Sequence, residues 1–307
     1  MTDTRSVNQE ILLTPGTLWT RLKEQTQHGL ECGALQSIST DYEFVEENGV
    51  NFLVRTLSNL SRKDEAKKKQ DKAAKKGHDF NPFLPYEEDL FVAGISPTHL
   101  CLLNKFNVVD HHLLIVTREF EEQDSLLNYQ DFQAMWACLA EIDGLVFYNG
   151  GKIAGASQRH KHLQLVPTPL VPTQKESVPI AALFSSAVFD GDVGRVPDLP
   201  FVHGFCRFDA DLINPNDAAQ ITLQIYYKLL KAVNLFSENM QNNSIAYNLL
   251  VTREWMFIVP RSQEVFESIS VNSLGFAGTL LVRNEQQMQI LKDYKPMTIL
   301  KQVGIGS

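Results

Sequence analysis

The residues best suited to chemistry lie in one short run, GASQRHKHLQLVP, from Gly155 to Pro167. His160, His162 and Gln164 stand at every second position, and in an extended strand alternate side chains share a face. Lys161, Leu163 and Leu165 then belong to the opposite face, with Lys161 expected in solvent. A neutral imidazole on a rigid strand can attack phosphorus without a separate base, provided a hydrogen bond to its other ring nitrogen fixes the tautomer. His162 is the better candidate for that attack, because His160 and Gln164 flank it on its own face. Phosphoryl-type transfer asks the protein mainly for positioning and for donors around the phosphorus. Gly150, Gly151 and Gly155 permit close backbone approach there, and Ser157 and Gln158 supply neutral donors. A transition metal is the competing use of two histidines at i and i+2, with His111 and His112 as further ligands. The lack of a CxxC pair or an HExxH run weighs against it.

Such a strand needs neighbours to hold it. NFLVRTL (51–57), the apolar run near 90–95, NVVDHHLLIVT (107–117) and GLVFYNGG (144–151) read as strands. LWTRLKEQTQHGL reads as a helix ending at Gly29 or Gly33. NYQDFQAMWACLAEID reads as a second, whose Phe132, Met135, Trp136, Leu139 and Ala140 recur at helical spacing and form a core stripe. Six prolines between Pro167 and Pro200 then interrupt regular structure. Beyond them NDAAQITLQIYYKLLKAVNLFSENM is a capped helix, and IAYNLLVT with WMFIVP forms a hairpin turned at Arg253 and Glu254. These boundaries predict a first domain over 1–175, a proline-rich connection over 176–200 and a second domain over 201–307.

At 307 residues, 44% hydrophobic and 21% charged, the chain has the composition of a soluble globular protein with length for two domains. Its N-terminus lacks a basic start followed by an apolar run, and no stretch of about 18 apolar residues appears, so a cytoplasmic location is expected. Cys32, Cys101, Cys138 and Cys206 are dispersed and read as reduced, buried thiols. A net charge of −8 disfavours nucleic acid as a partner. One segment runs the other way: Arg62 to Lys76 holds eight basic and three acidic residues, a net +5 that leaves the remainder at −13. A mobile basic loop over 62–78 is expected, with a flap that draws in polyphosphate as the alternative.

The HxHxQ core resembles the histidine triad superfamily in its transferase branch, where glutamine replaces the third histidine of the hydrolases. Over a wider span, NPFLPYEEDLFV, KFNVVDHHLLIVTREFEEQ, GGKIAGASQRHKHLQLVP, YNLLVTREWMFIVPRS and NSLGFAGTLLV together resemble the diadenosine tetraphosphate phosphorylase (ATP adenylyltransferase) family. The resemblance implies an α+β fold: a histidine-triad-like antiparallel sheet with packed helices, and a second α+β domain, of ATP adenylyltransferase type, completing the pocket. It implies phosphorolysis of diadenosine tetraphosphate to ATP and ADP through an adenylylated histidine. His162 matches the nucleophile. Gln164 suits transfer rather than hydrolysis, since an amide cannot act as a general base toward water. His160 is expected to orient the nucleophile or assist the departing polyphosphate. Asn149, Gly155, Ser157 and Gln158 match the phosphate-contacting stretch, and Arg55 falls where a basic residue faces phosphates. Asn248, Thr252 and Arg261 lie in the family-like hairpin, with structural roles expected.

The implied partners are small nucleotides and phosphate, with no nucleic acid, no membrane and a monomeric chain. No covalent cofactor is implied; Mg2+ or Mn2+ would accompany the polyphosphate, and no carboxylate cluster marks a dedicated metal site. Two alternatives stay open. A hexose-1-phosphate uridylyltransferase would carry UMP on His162, although the CxxC pair common among those enzymes is missing. A noncatalytic sensor would bind dinucleoside polyphosphates without turnover.

Overall fold

Ten strands pair into one antiparallel sheet, and its central runs, such as HLCLL, LLIVT, YNLLV and WMFIVP, are rich in Val, Leu and Ile and bury both faces, whereas the edge strand VFD is exposed. The order is β3 (Phe91–Gly94), β4 (His99–Leu103), β5 (Leu113–Thr117), β7 (His162–Pro167), β6 (Gly144–Gly150), β11 (Tyr247–Val251), β12 (Trp255–Pro260), β10 (Gly204–Arg207), β9 (Val193–Arg195) and β8 (Val188–Asp190). The computed structural model describes residues 10–57, 81–171, 176–208, 212, 214–236 and 246–306, so the basic loop expected at 62–78 lies outside the described residues. The two halves of the chain meet inside the sheet, where β6 pairs with β11 from Tyr247 opposite Gly150 to Val251 opposite Val146. A three-stranded sheet also draws on both ends of the chain. There β1 (Thr40–Glu47) is antiparallel to β2 (Val50–Leu57), and β15 (Thr279–Val282) runs parallel to β2. A small ribbon of β13 (Val265–Phe266) and β14 (Ile269–Ser270) completes the strands.

Helices cover one face of the large sheet. α1 (Leu18–Cys32) turns Leu18, Leu22, Thr26 and Gly29 inward and stops at Gly33, whose φ of 79° provides the left-handed cap that glycine adopts without strain. α2 (Tyr129–Glu141) begins with a capping box in which Asn128 and Asp131 satisfy each other's backbone N–H. α3 (Pro215–Ala232) packs on α2, with the Trp136 indole donating to the Thr222 hydroxyl at 2.9 Å. It ends earlier than its periodicity suggests, just before Asn234 takes a positive φ of 59°. Residues 107–112 also depart from the expected strand. Asn107 donates through Nδ2 to the Val109 carbonyl and His111 takes a φ of 56°, so the polar turn wins over the two valines and the strand starts at Leu113.

The opposite face carries two clusters. One gathers Phe147, Phe201, Phe257, Phe276 and Leu280 under α4 (Ser273–Phe276), α5 (Glu285–Tyr294), α6 (Pro296–Val303) and the small sheet. The other is Phe83, Leu100, Leu102, Leu114 and Val116, over β4 and β5. Each fully buried side chain of this size contributes roughly 1.5–3 kcal/mol. A cavity of about 1370 Å3 takes its walls from both clusters, with Phe83, Leu102 and Leu114 on one side and Phe147, Val271 and Leu280 on the other. Cys101, Cys138 and Cys206 are buried, whereas Cys32, at the end of α1, is exposed, contrary to expectation. No helix among the described residues is long and apolar enough to cross a membrane.

Candidate active site

β7 sits fourth in the sheet, so β5 and β6 flank its edges and fix its register: Val116 lies opposite His162, and Phe147 opposite Gln164. The alternation places His162 and Gln164 on the cavity wall and Leu163 and Leu165 in the core beneath the helices. His162 is almost wholly buried, with its ring edge-on to Phe83. Its Nδ1 lies 2.8 Å from the His160 carbonyl. A carbonyl only accepts, so Nδ1 carries the proton and Nε2 holds the lone pair. Nε2 has no hydrogen-bond partner among the described residues. Burial drives the His162 pKa down to about 4, with the His160 carbonyl opposing and the His160 ring adding to the fall. The imidazole is therefore neutral near pH 7 and able to attack an electrophilic phosphorus.

His160 meets His162 through its backbone. Its own ring donates from Nε2 to the Thr117 carbonyl at 2.8 Å and accepts at Nδ1 from Asn81 Nδ2 at 2.9 Å, and it does not line the cavity. Burial lowers its pKa as well. Gln164 Oε1 accepts from His112 Nε2 at 2.9 Å, and His112 Nδ1 accepts from Asn104 Nδ2 at 3.3 Å. This chain sets the flip of the Gln164 amide and leaves its NH2 as a donor. Burial also takes His112 to about 4, the Gln164 bond opposing and His162 adding to the fall. His111 is turned elsewhere, with Nδ1 3.1 Å from the Thr26 hydroxyl and its ring against Trp19, so it shares no ligand position with His160 and His162.

The glycine segment forms a cradle beside His162. Gly151 has φ 84° and Gly155 φ 90°, with a short 3-10 turn, Lys152–Ala154, between them. A Cβ on Gly155 would stand 2.8 Å from that of Asn272, so the close approach of the C-terminal segment requires glycine. Gly155, Ser157 and Gln158 all line the cavity. Asn149 lines it too, and its Oδ1 accepts from Asn248 Nδ2, Ser273 N and Ser273 Oγ at 2.9, 2.9 and 2.7 Å. Beneath the cradle Arg261 is buried and donates to the carbonyls of Ala154, Val271, Gln263 and Val303 and to Asn248 Oδ1. Its pKa falls to about 10 through burial, against the pull of Glu264, so it remains a cation. Arg261 and Asn248 thus brace the cradle, whereas the Thr252 backbone simply closes the hairpin on Trp255. Arg55 reaches the cavity from β2, with Nη1 3.2 Å from the Thr40 hydroxyl; burial lowers its pKa while Asp110 and Tyr42 raise it.

Lys161 corrects the sequence reading. It faces away from His162 as expected, yet it is 1% exposed rather than solvated. Its ammonium bonds Asp131 at 2.6 Å and Glu121 at 3.0 Å, and His99 meets the other Asp131 oxygen at 3.1 Å. Burial alone would push the Asp131 carboxyl up; the His99 bond and the Lys161 charge outweigh it and hold the pKa below the usual value. The helix that covers this side of β7 supplies the counter-charge. Gln123 is a site residue that the sequence reading does not single out, and His112, read there as a further metal ligand, serves instead as the donor to Gln164. Only the run of polar residues after β5 hints at Gln123.

The sheet, the strand-borne neutral histidine and the glycine cradle define a nucleotidyltransferase of the histidine triad type. The family description Ap4A phosphorylase N-terminal domain matches residues 8–186, and ATP adenylyltransferase C-terminal domain matches residues 197–306. The chain belongs to the Ap4A phosphorylase family. Among relatives, it is 28% identical over 271 residues to diadenosine 5',5'''-P1,P4-tetraphosphate phosphorylase 2 of Saccharomyces cerevisiae, covering 79% of each chain. It is 25% identical over 301 residues to Protein APA1 of the same yeast, covering 89% of this chain and 88% of the relative. The crystal structure of yeast Ap4A phosphorylase Apa2 in complex with Ap4A superposes with a TM-score of 0.76 at 22% identity, covering 96% of this chain and 99% of that one. The complex of the same enzyme with AMP gives 0.77 at 22% identity, covering 96% and 98%.

Proposed function

We propose that this chain splits diadenosine tetraphosphate with inorganic phosphate into ATP and ADP, with His162 carrying AMP between the two displacements. One observation carries this reading above the others: the His162 Nδ1–H is committed to the His160 carbonyl, which leaves Nε2 as the nucleophilic nitrogen. Nε2 attacks the α-phosphorus, an N–P bond forms, and the bond to the bridging oxygen breaks with release of ATP. The ring then bears a positive charge, which the 2.8 Å contact of Nδ1–H with a carbonyl stabilises as a charge-assisted bond. In the second displacement a phosphate oxygen attacks the same phosphorus, the N–P bond breaks, and ADP leaves.

The donors for the phosphoryl oxygens are the Gln164 NH2, Ser157 and Gln158, with Arg55 further along the cavity, while Gly155, whose own N–H is held by the Lys152 carbonyl, lets the chain approach closely. Gln164 cannot take a proton from water, so the adenylylated enzyme survives until phosphate arrives. The cavity volume exceeds the roughly 300–1,000 Å3 of ordinary small-molecule sites, which suits a dinucleotide. A Mg2+ or Mn2+ ion entering with the polyphosphate would find the carboxylates of Glu122 and Asp124 on the same wall and would supply charge neutralisation there. Both halves of the chain line this one cavity, which suits a monomer. Intact-mass measurement after mixing with diadenosine tetraphosphate, without phosphate, tests the reading. One AMP should remain on the protein, map to His162 and be absent from His162→Gly. AMP retained by that variant, or no adduct on the wild type, would sink the mechanism.

A further inference from the structure

β6 and β7 pair from Gly144 opposite Pro167 to Phe147 opposite Gln164, and continuing that register would set Asn149 opposite His162. The strands part before that point. The side-chain amide of Gln123, 3% exposed, stands in the gap. Its Oε1 accepts from the His162 backbone N–H at 2.8 Å, and its Nε2 donates to the His162 carbonyl at 3.1 Å and the Asn149 carbonyl at 3.0 Å. Only an amide oxygen can take the first bond and only an NH2 can make the other two, so the three partners fix its flip. The side chain replaces one rung of the ladder.

The segment that delivers this amide is tied down on every side. Gln123 N–H donates to the Arg159 carbonyl at 2.7 Å, and Lys161 N–H to the Glu121 carbonyl at 2.8 Å. The Tyr148 hydroxyl donates to the Gln123 and Ser125 carbonyls. From the back of β7, Lys161 Nζ gathers Glu121, the Leu126 carbonyl and Asp131, which are the two ends of the segment and the start of α2.

We propose that Gln123 is a positioning residue for His162: its amide spreads β6 from β7 beside the glycine cradle and sets the height of the His162 backbone, and Lys161 anchors the loop that delivers it. The inference rests on His162 being the nucleophile. With Nδ1 bonded to His160, the ring's remaining freedom is that of its own backbone, which Gln123 holds from the other edge. Attack needs reacting atoms about 3–3.5 Å apart, and a misplacement of about 1 Å costs roughly 100-fold.

Gln123→Glu separates this role from simple filling of space. Its carboxylate can still accept from the His162 N–H but faces two carbonyl oxygens, and protonation returns one donor. Burial and those carbonyls raise the pKa of such a group. The titratable and charged neighbours are Glu122 and Asp124 on its own loop, Arg159, His160 and His162 on the approach to and start of β7, Tyr148 on β6, and Lys161 behind. Their titration is common to the wild type, whose profile is measured in parallel.

The rate of AMP uptake from diadenosine tetraphosphate should fall about 10- to 100-fold in Gln123→Glu at pH 8 and recover to within several-fold of wild type toward pH 5. Gln123→Ala should be slow at every pH while AMP affinity stays within about threefold. A Gln123→Ala rate within twofold of wild type, or a Gln123→Glu profile parallel to wild type, overturns the proposal. Backbone hydrogen exchange at His162 gives an answer independent of catalysis. Protection should drop at least about 10-fold in Gln123→Ala, or in Gln123→Glu at pH 8 if the alanine variant does not fold. Unchanged protection overturns the proposal, whereas absence of AMP uptake by the wild type counts against the functional reading alone.

Discussion

Lowering the pH from 8 to about 3 probes the state of His162 directly. Burial carries its pKa from 6.5 to about 4. At pH 5.5 an imidazole titrating at about 4 is about 97% neutral, and one titrating at 6.5 only about 9%, so the two cases differ about tenfold in nucleophile. Diadenosine tetraphosphate suits the measurement because its phosphates are all internal and lack the second ionisation near 6 of a terminal phosphate. Rapid-quench measurement of AMP uptake under single-turnover conditions should give a rate flat from pH 8 to about 5 and falling with a midpoint near 4. A midpoint between about 6 and 7 would refute the burial argument.

Stability should respond in the same direction. His162 and His112 both titrate at about 4 when folded and near 6.5 when unfolded. Below 6.5 the unfolded chain therefore takes up protons that the folded chain refuses. Their contribution is complete above 6.5, is lost as pH falls, and levels off below about 4. By pH 5 the loss is about 2 kcal/mol per histidine, readable from urea unfolding at pH 7.5 and 5.

Three substitutions test neighbouring parts of the site. His112→Leu removes the donor that sets the Gln164 amide and should slow AMP uptake about tenfold with AMP affinity within about threefold, while His112→Gln restores most of the rate. Lys161→Met leaves the Asp131 carboxylate buried beside His99 and should cost about 3–5 kcal/mol in urea unfolding; adding Asp131→Asn should return more than half. Gly155→Ala puts a methyl 2.8 Å from Asn272 Cβ at a φ of 90°, and calorimetry should show AMP binding weakened about tenfold or more.

The HxHxQ spacing carries much of the site because a period of two assigns faces within a strand, although β7 begins only at His162, and His160, just before it, turns its ring to Thr117 and Asn81 and away from the cavity. His162 and Gln164 reach the cavity on that ground alone. What lies across from a strand is not written in the strand. Lys161 reads as solvated because a lone lysine generally is, and Asp131, which neutralises it, sits thirty positions upstream as half of a capping box. Gln123, in the polar run EEQDS, looks like any loop residue until β6 and β7 are seen to part beside it. Val108 and Val109 suggested a longer strand, but the local hydrogen bond of Asn107 and the left-handed His111 made a turn instead. The second-half hairpin was plain from its two apolar runs, whereas its pairing with β6 depends on contacts about a hundred residues apart and leaves no local trace.

That pairing also limits how the enzyme can move. A joint made of continuous ladder hydrogen bonds, with five residue pairs between β6 and β11, cannot flex like a hinge between two jaws. Nucleotides must therefore enter and depart past segments on the cavity's rim, so the pace of release belongs to loops and side chains while the floor stays rigid.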